Sequence, residues 1–338
     1  MGKILVTGGA GFIGSHLIDE LVKRSFKVKT LDIFEKQVHK DGKPDYLNKG
    51  CEYIEGDIRD ERILKRALKD VDIIFHFAAQ VGVGQSMYEI HRYVDHNTLG
   101  TANLLNFIVK NKIKLRKLIV ASSMSIYGEG GYKCKSCGEV SCDIRPEAQL
   151  LKRDWEMRCP NCEAQVESIK IPTVGLRFFN VYGPRQSLSN PYTGVCAIFS
   201  SMIKDNRNPT VYEDGAQTRD FINVRDIVVA NMLVMEKDEA DYGTYNVGTG
   251  RPVPVLDIAD ILIKLYGKKV RPEIVNKFRV GDIRHCFADI SKIKKLGFMP
   301  SVGLEEGLAE LVEWGRSQAT DSFTNAADKE LEKMGLKI

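Results

Sequence analysis

A glycine triplet near the start of the chain has the spacing that a diphosphate-binding loop requires: Gly8, Gly11 and Gly14. The apolar run Lys3–Thr7 before it predicts a buried strand, and the amphipathic stretch Ser15–Lys23 after it predicts a helix. The first glycine permits a sharp turn off the strand. The second leaves the backbone open to a diphosphate, and the third lets the helix pack closely on the sheet.

A carboxylate follows the triplet at the distance expected of a dinucleotide site. The N-terminus of the predicted helix offers free N–H groups to phosphates, and Phe12 and Ile13, just before it, are expected to contact the cofactor. A second strand is predicted at Val28–Leu31 and ends at Asp32, 18 residues beyond Gly14. There a carboxylate can accept hydrogen bonds from the ribose hydroxyls of NAD and would repel the additional phosphate of NADP. NAD is therefore the predicted cofactor, and an ordinary βαβ turn is the structural alternative.

The elements that must position these residues alternate along the first part of the chain. Further strands are predicted at Ile73–Phe77, Leu118–Ser122 and Thr173–Phe178, and helices at Glu61–Lys69 and Asn97–Lys110. Alternating strands and helices predict an α/β fold with a doubly wound, parallel Rossmann sheet. Later helices are predicted at Val195–Lys204, Val224–Met235, Leu256–Leu265 and Leu304–Trp314.

The domain limits follow from where this alternation stops. We predict an NAD-binding domain over residues 1–180, interrupted by a polar, Cys-rich insert over 129–168. A smaller, mainly substrate-binding α/β portion is predicted over residues 181–320, followed by a C-terminal tail over 321–338.

The bulk composition narrows the function classes. A net charge of +4 on 338 residues argues against a nucleic-acid-binding protein. No apolar run approaches the roughly 18 residues that a membrane helix needs. Eight cysteines in a chain of this kind are expected as thiols or metal ligands, which favours a cytoplasmic location.

Two C-x2-C pairs predict a metal site in the insert. Cys134 and Cys137 form the first pair, and Cys159 and Cys162 form the second, 21 residues later. Two such pairs can supply four thiolates to one tetrahedral Zn²⁺, and four protein ligands make the zinc structural. The alternative is four unrelated surface cysteines. Cys142 is predicted to be a non-ligand.

Further motifs accompany the glycine loop in a fixed order: Gly56-Asp57-Ile58-Arg59-Asp60, His76-Phe77-Ala78-Ala79, Asn97–Asn103, Ser122–Gly128, Arg177–Arg185, Thr218–Phe221 and Arg279–Asp282. Together they resemble the extended short-chain dehydrogenase/reductase family, which comprises NAD-dependent nucleotide-sugar epimerases and dehydratases. For the cofactor, the resemblance implies that Asp57 hydrogen-bonds the adenine and that Ile58 packs on it. It also implies that Ala78 and Ala79 lie under the cofactor and that Asn97 steadies the nearby fold.

For the substrate, the resemblance implies a nucleotide sugar whose diphosphate is bound by Asn180, Arg185, Arg219 and Arg279. Arginine suits this role because its planar guanidinium can hold two phosphate oxygens at once. Ser123 matches the catalytic hydroxyl, and Ser125 is expected to contact the sugar. Tyr127 either contacts the sugar or caps the strand.

Within the family, the segments Val81–Ile90, Ser123–Glu129 and Asn190–Val195 look like the dTDP-L-rhamnose 4-epimerase branch. That branch implies removal of hydride from C4 by NAD⁺ and its return to the other face of a 4-keto sugar. Dehydratases and decarboxylases instead use acids just after the catalytic hydroxyl. Here Met124 and Ser125 stand there, and neither can transfer that proton. A dehydratase or reductase on the same scaffold remains an alternative.

The family's catalytic base has no counterpart in this sequence. It is a Tyr with Lys four residues later, and none of the 12 tyrosines here has Lys at that position. One explanation is that the natural protein carries further residues near Ser168–Lys170. The other is a real deletion, which leaves a catalytically silent protein that binds NAD and nucleotide sugar. We favour the first, because the other functional positions are intact. Family members commonly form homodimers through two helices, one of which is the missing one.

Overall fold

A computed structural model of the chain describes residues 3–40, 42–124, 131–142, 145–165, 167–168, 176–190, 193–241, 243–278, 282–318 and 320. The chain divides into two compact units. Unit 1 comprises residues 1–121 and 227–238, and unit 2 comprises residues 122–226 and 239–338. None of the described helices is long and apolar enough to cross a membrane. The domain limits expected from the sequence, at residues 180 and 320, stay predictions.

Unit 1 is built on parallel strands: β1 (Lys3–Thr7), β2 (Lys27–Asp32), β3 (Cys51–Glu55), β4 (Val71–His76) and β5 (Lys117–Ser123). They lie in the order β3-β2-β1-β4-β5, and every neighbouring pair is parallel. In β1 the residues from Ile4 to Thr7 are all buried, as expected for a sheet covered on both faces. The parallel, Rossmann-type sheet that the sequence predicts is confirmed.

The helices of the first part are α1 (Phe12–Lys23), α2 (Glu61–Ala67), α3 (Val83–Ser86), α4 (Ile90–Tyr93) and α5 (Gly100–Lys110), with a π-helix at Val94–Leu99 before α5. One apolar cluster joins the strands to α2 and α5 and includes Leu5, Ile54, Leu64, Ile74 and Leu104. Because successive strand residues point to opposite faces, Ile4 and Val6 lie on the other face, where they are buried too.

The insert forms a small antiparallel sheet of β6 (Gly131–Cys134), β7 (Gly138–Ser141) and β8 (Glu167–Ser168), in the order β7-β6-β8. A short helix, α6 (Glu147–Leu151), lies between β7 and β8 in the chain. Gly138 has φ +79°, a conformation that favours glycine at the tight turn between β6 and β7.

The rest of unit 2 carries short strands: β9 (Leu176–Phe178), β10 (Asn180–Tyr182), β11 (Thr210–Val211), β12 (Thr218–Arg219), β13 (Phe221–Asn223), β14 (Tyr245–Val247), β15 (Val253–Pro254), β16 (Glu273–Ile274) and β17 (His285–Cys286). The later helices are α7 (Val195–Lys204), α8 (Val224–Glu236), α9 (Val255–Tyr266), α10 (Ser291–Lys294) and α11 (Leu304–Ser317). α8 begins in unit 2 and continues into unit 1. Helices α7, α9 and α11 enclose an apolar core around Phe199, Ile258 and Leu311.

Most predicted elements are observed within a few residues of their expected ends. The strand predicted at Thr173–Phe178 is observed over its last three residues, and residues 173–175 lie outside the described part. The sequence analysis missed β3, which lies at the edge of the sheet and in which only Cys51 and Ile54 are buried. It also predicted a continuous helix where the π-helix precedes α5.

The described residues between β5 and β9 contain one helix, the five-residue α6. Several large apolar side chains of unit 1 are exposed, and we call them the uncovered apolar residues: Val94, Leu99, Leu105, Val109 and Val120. Val109 is 77% exposed and Val120, on β5, is 42% exposed. The other four residues lie on the π-helix and α5. A parallel sheet is normally covered on both faces, so the exposure of Val120 indicates that β5 lacks a covering element there within the described part of the chain.

Candidate active site and metal centre

The glycine loop is possible only with glycine at two of its three positions. Gly8 has φ +72°, and a Cβ there would lie 2.8 Å from the backbone N of Ala78. A Cβ on Gly14 would lie 2.4 Å from the carbonyl oxygen of Gly8. These glycines let the loop lie against the end of β4 and let α1 start directly behind it.

Gly11, the middle glycine of the loop, leaves open space where a side chain would project and does not prevent a clash. Gly11 has an ordinary φ of −70°, and a Cβ there would meet only the Gly8 carbonyl oxygen, at 3.3 Å. It caps α1 without a side-chain hydrogen bond, and the first turn of α1 holds no acidic residue. The N–H groups of Phe12, Ile13 and Gly14 therefore meet an open, electrostatically positive end that fits a diphosphate.

The Asp32 carboxylate is fixed beside this loop. Its Oδ2 accepts a hydrogen bond from the Ala10 N–H at 2.9 Å, and its Oδ1 accepts one from the Phe34 N–H at 2.9 Å. A carboxylate has about four acceptor positions, so acceptor capacity remains for ribose hydroxyls. Its position at the end of β2 fits the predicted NAD site.

The Asp57 carboxylate, predicted to bind the adenine, is also held in a defined orientation. A side-chain hydrogen bond from Arg59 is the main cause that lowers the pKa of Asp57. Arg59 also forms an ion pair with Asp95. Ile58 is 8% exposed and packs in the cluster with Leu64, and its side chain would lie 2.9 Å from a Cβ at Gly100. The adenine contacts of Asp57 and Ile58 stay predictions.

Asn97 holds the segment after β4. Its Oδ1 accepts a hydrogen bond from the Gln80 N–H at 2.7 Å, and its Nδ2 donates to the Gln80 carbonyl at 2.9 Å. Ala78 is half-buried and Ala79 is exposed, so both are accessible at the strand end. Asn97 lies in the π-helix, a feature that is common at functional sites.

His76 is a packed histidine with partners on both ring nitrogens. Its Nδ1 lies 2.8 Å from the Thr7 hydroxyl, and its Nε2 lies 2.9 Å from the Thr101 hydroxyl. Burial lowers its pKa to about 4. The ring is therefore neutral near pH 7 and packs at the end of β4. The sequence did not predict that Thr7 and Thr101 would be its hydrogen-bond partners.

The residues expected to contact substrate lie partly outside the described part of the chain. Ser123 ends β5 with an exposed side chain. Ser125, Tyr127 and Arg279 fall on residues that the structure does not describe, as does the junction near Ser168–Lys170.

Arg219 lies on β12, which pairs with β15 and β17. Its guanidinium donates to three backbone carbonyls, those of Thr218 at 2.8 Å, Ile283 at 2.6 Å and Arg284 at 3.2 Å. These bonds tie its orientation to the backbone just before β17.

Two other predicted diphosphate ligands flank β10. The buried Asn180 Oδ1 has no hydrogen-bond partner among the residues that the structure describes. An orphaned acceptor of this kind is unusual in a folded protein. A diphosphate only accepts hydrogen bonds, so the predicted role of Asn180 would use its Nδ2 donor and not this oxygen. Arg185 has φ +69°, a left-handed conformation that few non-glycine residues adopt away from functional sites.

The four predicted zinc ligands converge. The Sγ atoms of Cys134, Cys137, Cys159 and Cys162 all lie within 4.8 Å of one another. Four thiolates at about 2.3 Å from one Zn²⁺ would have similar separations, so the donor set fits a tetrahedral ion. Cys142 is not part of the group, and its Sγ contacts the Arg158 carbonyl.

Comparison with known proteins decides the family. The model of the NAD dependent epimerase/dehydratase family matches residues 4–248. The chain belongs to this family. It is 33% identical to dTDP-L-rhamnose 4-epimerase of Burkholderia thailandensis, over 92% of this chain and 94% of that protein.

Solved structures of nucleotide-sugar epimerases share the fold. UDP-N-acetylglucosamine 4-epimerase of Methanobrevibacter ruminantium has a TM-score of 0.73 and 32% identity, over 94% of this chain and 99% of that one. UDP-glucuronic acid 4-epimerase of Bacillus cereus, in complex with UDP-glucuronic acid and NAD, has a TM-score of 0.74 and 30% identity, over 93% and 99%. The chain is thus an enzyme of the NAD-dependent kind that acts on nucleotide sugars.

The alignment with the Burkholderia enzyme also reveals a gap. It runs over 343 positions but uses only 92% of the 338-residue chain, so about 30 positions fall opposite gaps in this chain. A gap of this total length is enough for one helix with its connections.

Proposed function

We propose that the protein catalyses NAD-dependent epimerisation at C4 of a nucleotide-activated hexose, a dTDP- or UDP-sugar of the dTDP-L-rhamnose or 6-deoxytalose type. The observation that carries this proposal is the intact dinucleotide cradle, formed by the glycine loop and the fixed Asp32 carboxylate, in a chain 33% identical to a dTDP-L-rhamnose 4-epimerase. The reaction passes through a transient 4-keto sugar.

In this mechanism the chain's own residues bind and orient the reactants. Bound NAD⁺ supplies reversible hydride acceptance at C4. The N–H groups at the start of α1 bind the cofactor diphosphate, and Asp32 binds its ribose. Ser123 hydrogen-bonds the reacting sugar oxygen. Arg219 and Arg279 hold the diphosphate of the nucleotide sugar, so that the sugar alone can turn over.

The residue after the catalytic hydroxyl favours an epimerase over a dehydratase. Met124 has no proton to give or take, whereas a 4,6-dehydratase needs an acid and a base at this place in the strand. Epimerisation at C4 needs no acid and base at this place, because hydride leaves and returns at C4. The one proton that moves, that of the C4 hydroxyl, would be taken up and returned by the tyrosine of the missing Tyr-x-x-x-Lys helix.

We infer further that the natural protein carries a Tyr-x-x-x-Lys helix near Ser168–Lys170 that is absent from these 338 residues. The uncovered apolar residues support this, because a helix of the β5–β9 crossover would cover an apolar side chain such as Val120 on β5. The same helix would complete the predicted homodimer.

The four-cysteine cluster is proposed to bind one structural Zn²⁺. Four cysteines complete the coordination of Zn²⁺ without a water ligand. Cys134 lies at the end of β6, and its sulfur accepts hydrogen bonds from backbone N–H groups in the turn that leads to β7. Hydrogen bonds from the backbone of Cys137 and Ser136 lower the pKa of Cys134 to about 7, which favours one thiolate. Hydrogen bonds with Cys162 and Cys159 raise the pKa of Cys137 to about 12, so the other thiols would lose their protons when the ion binds.

Incubation with NAD⁺ and dTDP-L-rhamnose, followed by chromatography of the sugars, tests the proposed activity. A 4-epimer is the expected product. A 4-keto-6-deoxy product or net formation of NADH would identify a dehydratase or reductase instead. Intact mass separates the two explanations for the missing base: a mass above 38.0 kDa indicates an additional segment, and 38.0 kDa with binding but no turnover indicates a silent homologue.

A further inference from the structure

The insert is attached to the rest of unit 2 by a buried arginine that the function does not use. The side chain of Arg145 is 2% exposed and forms a two-fold ion pair with Glu213, at 2.9 and 3.2 Å. Arg145 also donates to the backbone carbonyls of Trp155 at 2.9 Å and Asp282 at 2.7 Å. The contacts to Glu213 and Asp282 join the insert to two distant segments of unit 2, whereas the contact to Trp155 is internal to the insert.

A second buried arginine continues the same cluster. The side chain of Arg284 is 1% exposed and contacts Glu213 at 2.9 Å, Asp214 at 2.7 Å and Glu156 at 2.8 Å. Glu156 belongs to the insert, three residues before the cluster ligand Cys159. We call Arg145, Glu156, Glu213, Asp214 and Arg284 the insert network.

Glu156 also contacts the strand beside Arg219. Its Oε2 lies 3.3 Å from His285 Nε2, and His285 Nδ1 lies 2.9 Å from the hydroxyl of Thr218. Hydrogen bonding to His285 and Arg284 lowers the pKa of Glu156 to about 2, so it is a carboxylate at neutral pH.

The network holds the backbone on which the diphosphate-binding arginines depend. Asp282, bound by Arg145, follows the stretch that contains Arg279, and Phe278 precedes it. Phe278 packs against Trp155 of the insert, with ring centroids 6.4 Å apart, in a cluster with Leu150. Arg219 takes two of its three carbonyl contacts from Ile283 and Arg284, the residues that follow Asp282.

We propose that the Cys-rich insert is a positioning element for the nucleotide-diphosphate site, and that Arg145 and Glu156 are its positioning residues. The insert fixes the backbone on both sides of Arg279 and the carbonyls that orient Arg219. This role rests on the proposed function, because it concerns the arginines assigned to the diphosphate. NAD binding in unit 1 does not depend on it.

Calorimetric titration of the full-length, zinc-containing protein with UDP, dTDP and NAD tests this role. Glu156→Gln and Arg145→Gln are expected to weaken UDP or dTDP binding about tenfold, since each removes a charged hydrogen bond, and to leave NAD affinity within about twofold. The matched control is Asp154→Asn, which removes an acid of similar exposure in the same insert whose ion-pair partner is Arg158. The control should bind all three ligands as the unmodified protein does.

The Glu156 side chain is 31% exposed, so Glu156→Gln should fold even if Arg145→Gln does not. Glu156→Gln alone is then enough to test the positioning role. Where turnover is measurable, the variants should raise KM for the nucleotide sugar more than they lower kcat. Unchanged nucleoside diphosphate affinity in a folded Glu156→Gln variant would overturn the positioning role. Loss of NAD and nucleoside diphosphate affinity together would also overturn it, since it would indicate general unfolding. An unmodified protein that binds neither UDP nor dTDP would overturn the proposed function itself.

Discussion

The glycine loop of unit 1 and the insert network of unit 2 would organise the two proposed phosphate sites by different means. The loop uses backbone: positions without a Cβ, a helix N-terminus and one carboxylate held by two N–H groups. The insert network uses buried charged side chains that act on the backbone of other segments. A substitution that adds a Cβ disrupts the backbone site by steric clash. A substitution that removes one partner of a buried ion pair disrupts the side-chain network, because the other charge stays buried and unpaired.

The largest expected effect is loss of the zinc ion, which should change ligand binding in unit 2 and leave that in unit 1 unchanged. Cys159→Ser should reduce bound zinc from about one ion per chain to nearly none, because three ligands hold a structural zinc poorly. With the insert disordered, UDP or dTDP binding should weaken at least about tenfold, while NAD affinity stays unchanged. Metal analysis and calorimetry measure both. Cys142→Ser is the control and should keep its zinc, since Cys142 lies outside the cluster. Full zinc in Cys159→Ser would contradict the assignment of the ligand.

The glycine loop should divide into structural and functional positions. Gly14→Ala places a Cβ 2.4 Å from a carbonyl oxygen and should cost about 3 kcal/mol of unfolding free energy, as overpacking does. Gly11→Ala meets one atom at 3.3 Å and should leave stability within about 0.5 kcal/mol, yet lower NAD affinity, because its methyl group projects where the diphosphate binds. Urea unfolding and NAD titration measure the two effects. Equal NAD affinity in Gly11→Ala and the unmodified protein would place the diphosphate elsewhere.

The same difference explains what the sequence could predict. The glycine spacing and Asp32 report a local conformation, so the dinucleotide site and its strands were predicted from a short stretch of sequence. The cysteine spacing was likewise sufficient to predict that four thiolates converge. The partners of Arg145, by contrast, lie 68 and 137 residues later in the chain. No periodicity or motif links such residues, and a buried Arg145 reads in the sequence as an ordinary surface charge. The π-helix around Asn97 was missed for a related reason, since its residues have ordinary helical propensities.

Acid should destabilise the two regions in different pH windows. The folded-state pKa of His76 is about 4, below its ordinary value of 6.5, so the unfolded chain binds more protons between these values. Stability is therefore complete above pH 6.5 and is lost as the pH falls toward 4, by about 2 kcal/mol between pH 7 and 5. Urea unfolding at both pH values measures this loss, and His76→Gln should abolish most of it.

Glu156 responds to acid in the same direction, but in a lower pH window. Its folded-state pKa of about 2 lies below the ordinary 4.5. Its contribution is therefore present above pH 4.5 and is lost as the pH falls toward 2. Glu156→Gln should leave the stability difference between pH 7 and 5 unchanged. If Glu156→Gln instead abolished the stability difference between pH 7 and 5, as His76→Gln is expected to do, the two residues would not act in separate pH windows.

The smallest expected effect is the loss of unfolding free energy when a solvent-exposed ion pair is broken. Arg24 and Glu236 of unit 1 approach to 2.7 Å, as close as the contacts of the insert network, but their side chains are 44% and 50% exposed. Water and salt screen such a pair, so Glu236→Gln should cost about 0.5 kcal/mol or less, and less still in 1 M salt. Urea unfolding at two salt concentrations measures this cost. If Glu236→Gln cost as much as Arg145→Gln, distance alone would set the strength of these pairs. If it costs far less, burial is what gives the insert network its influence on the diphosphate site, because a buried guanidinium without its carboxylate cannot turn to water.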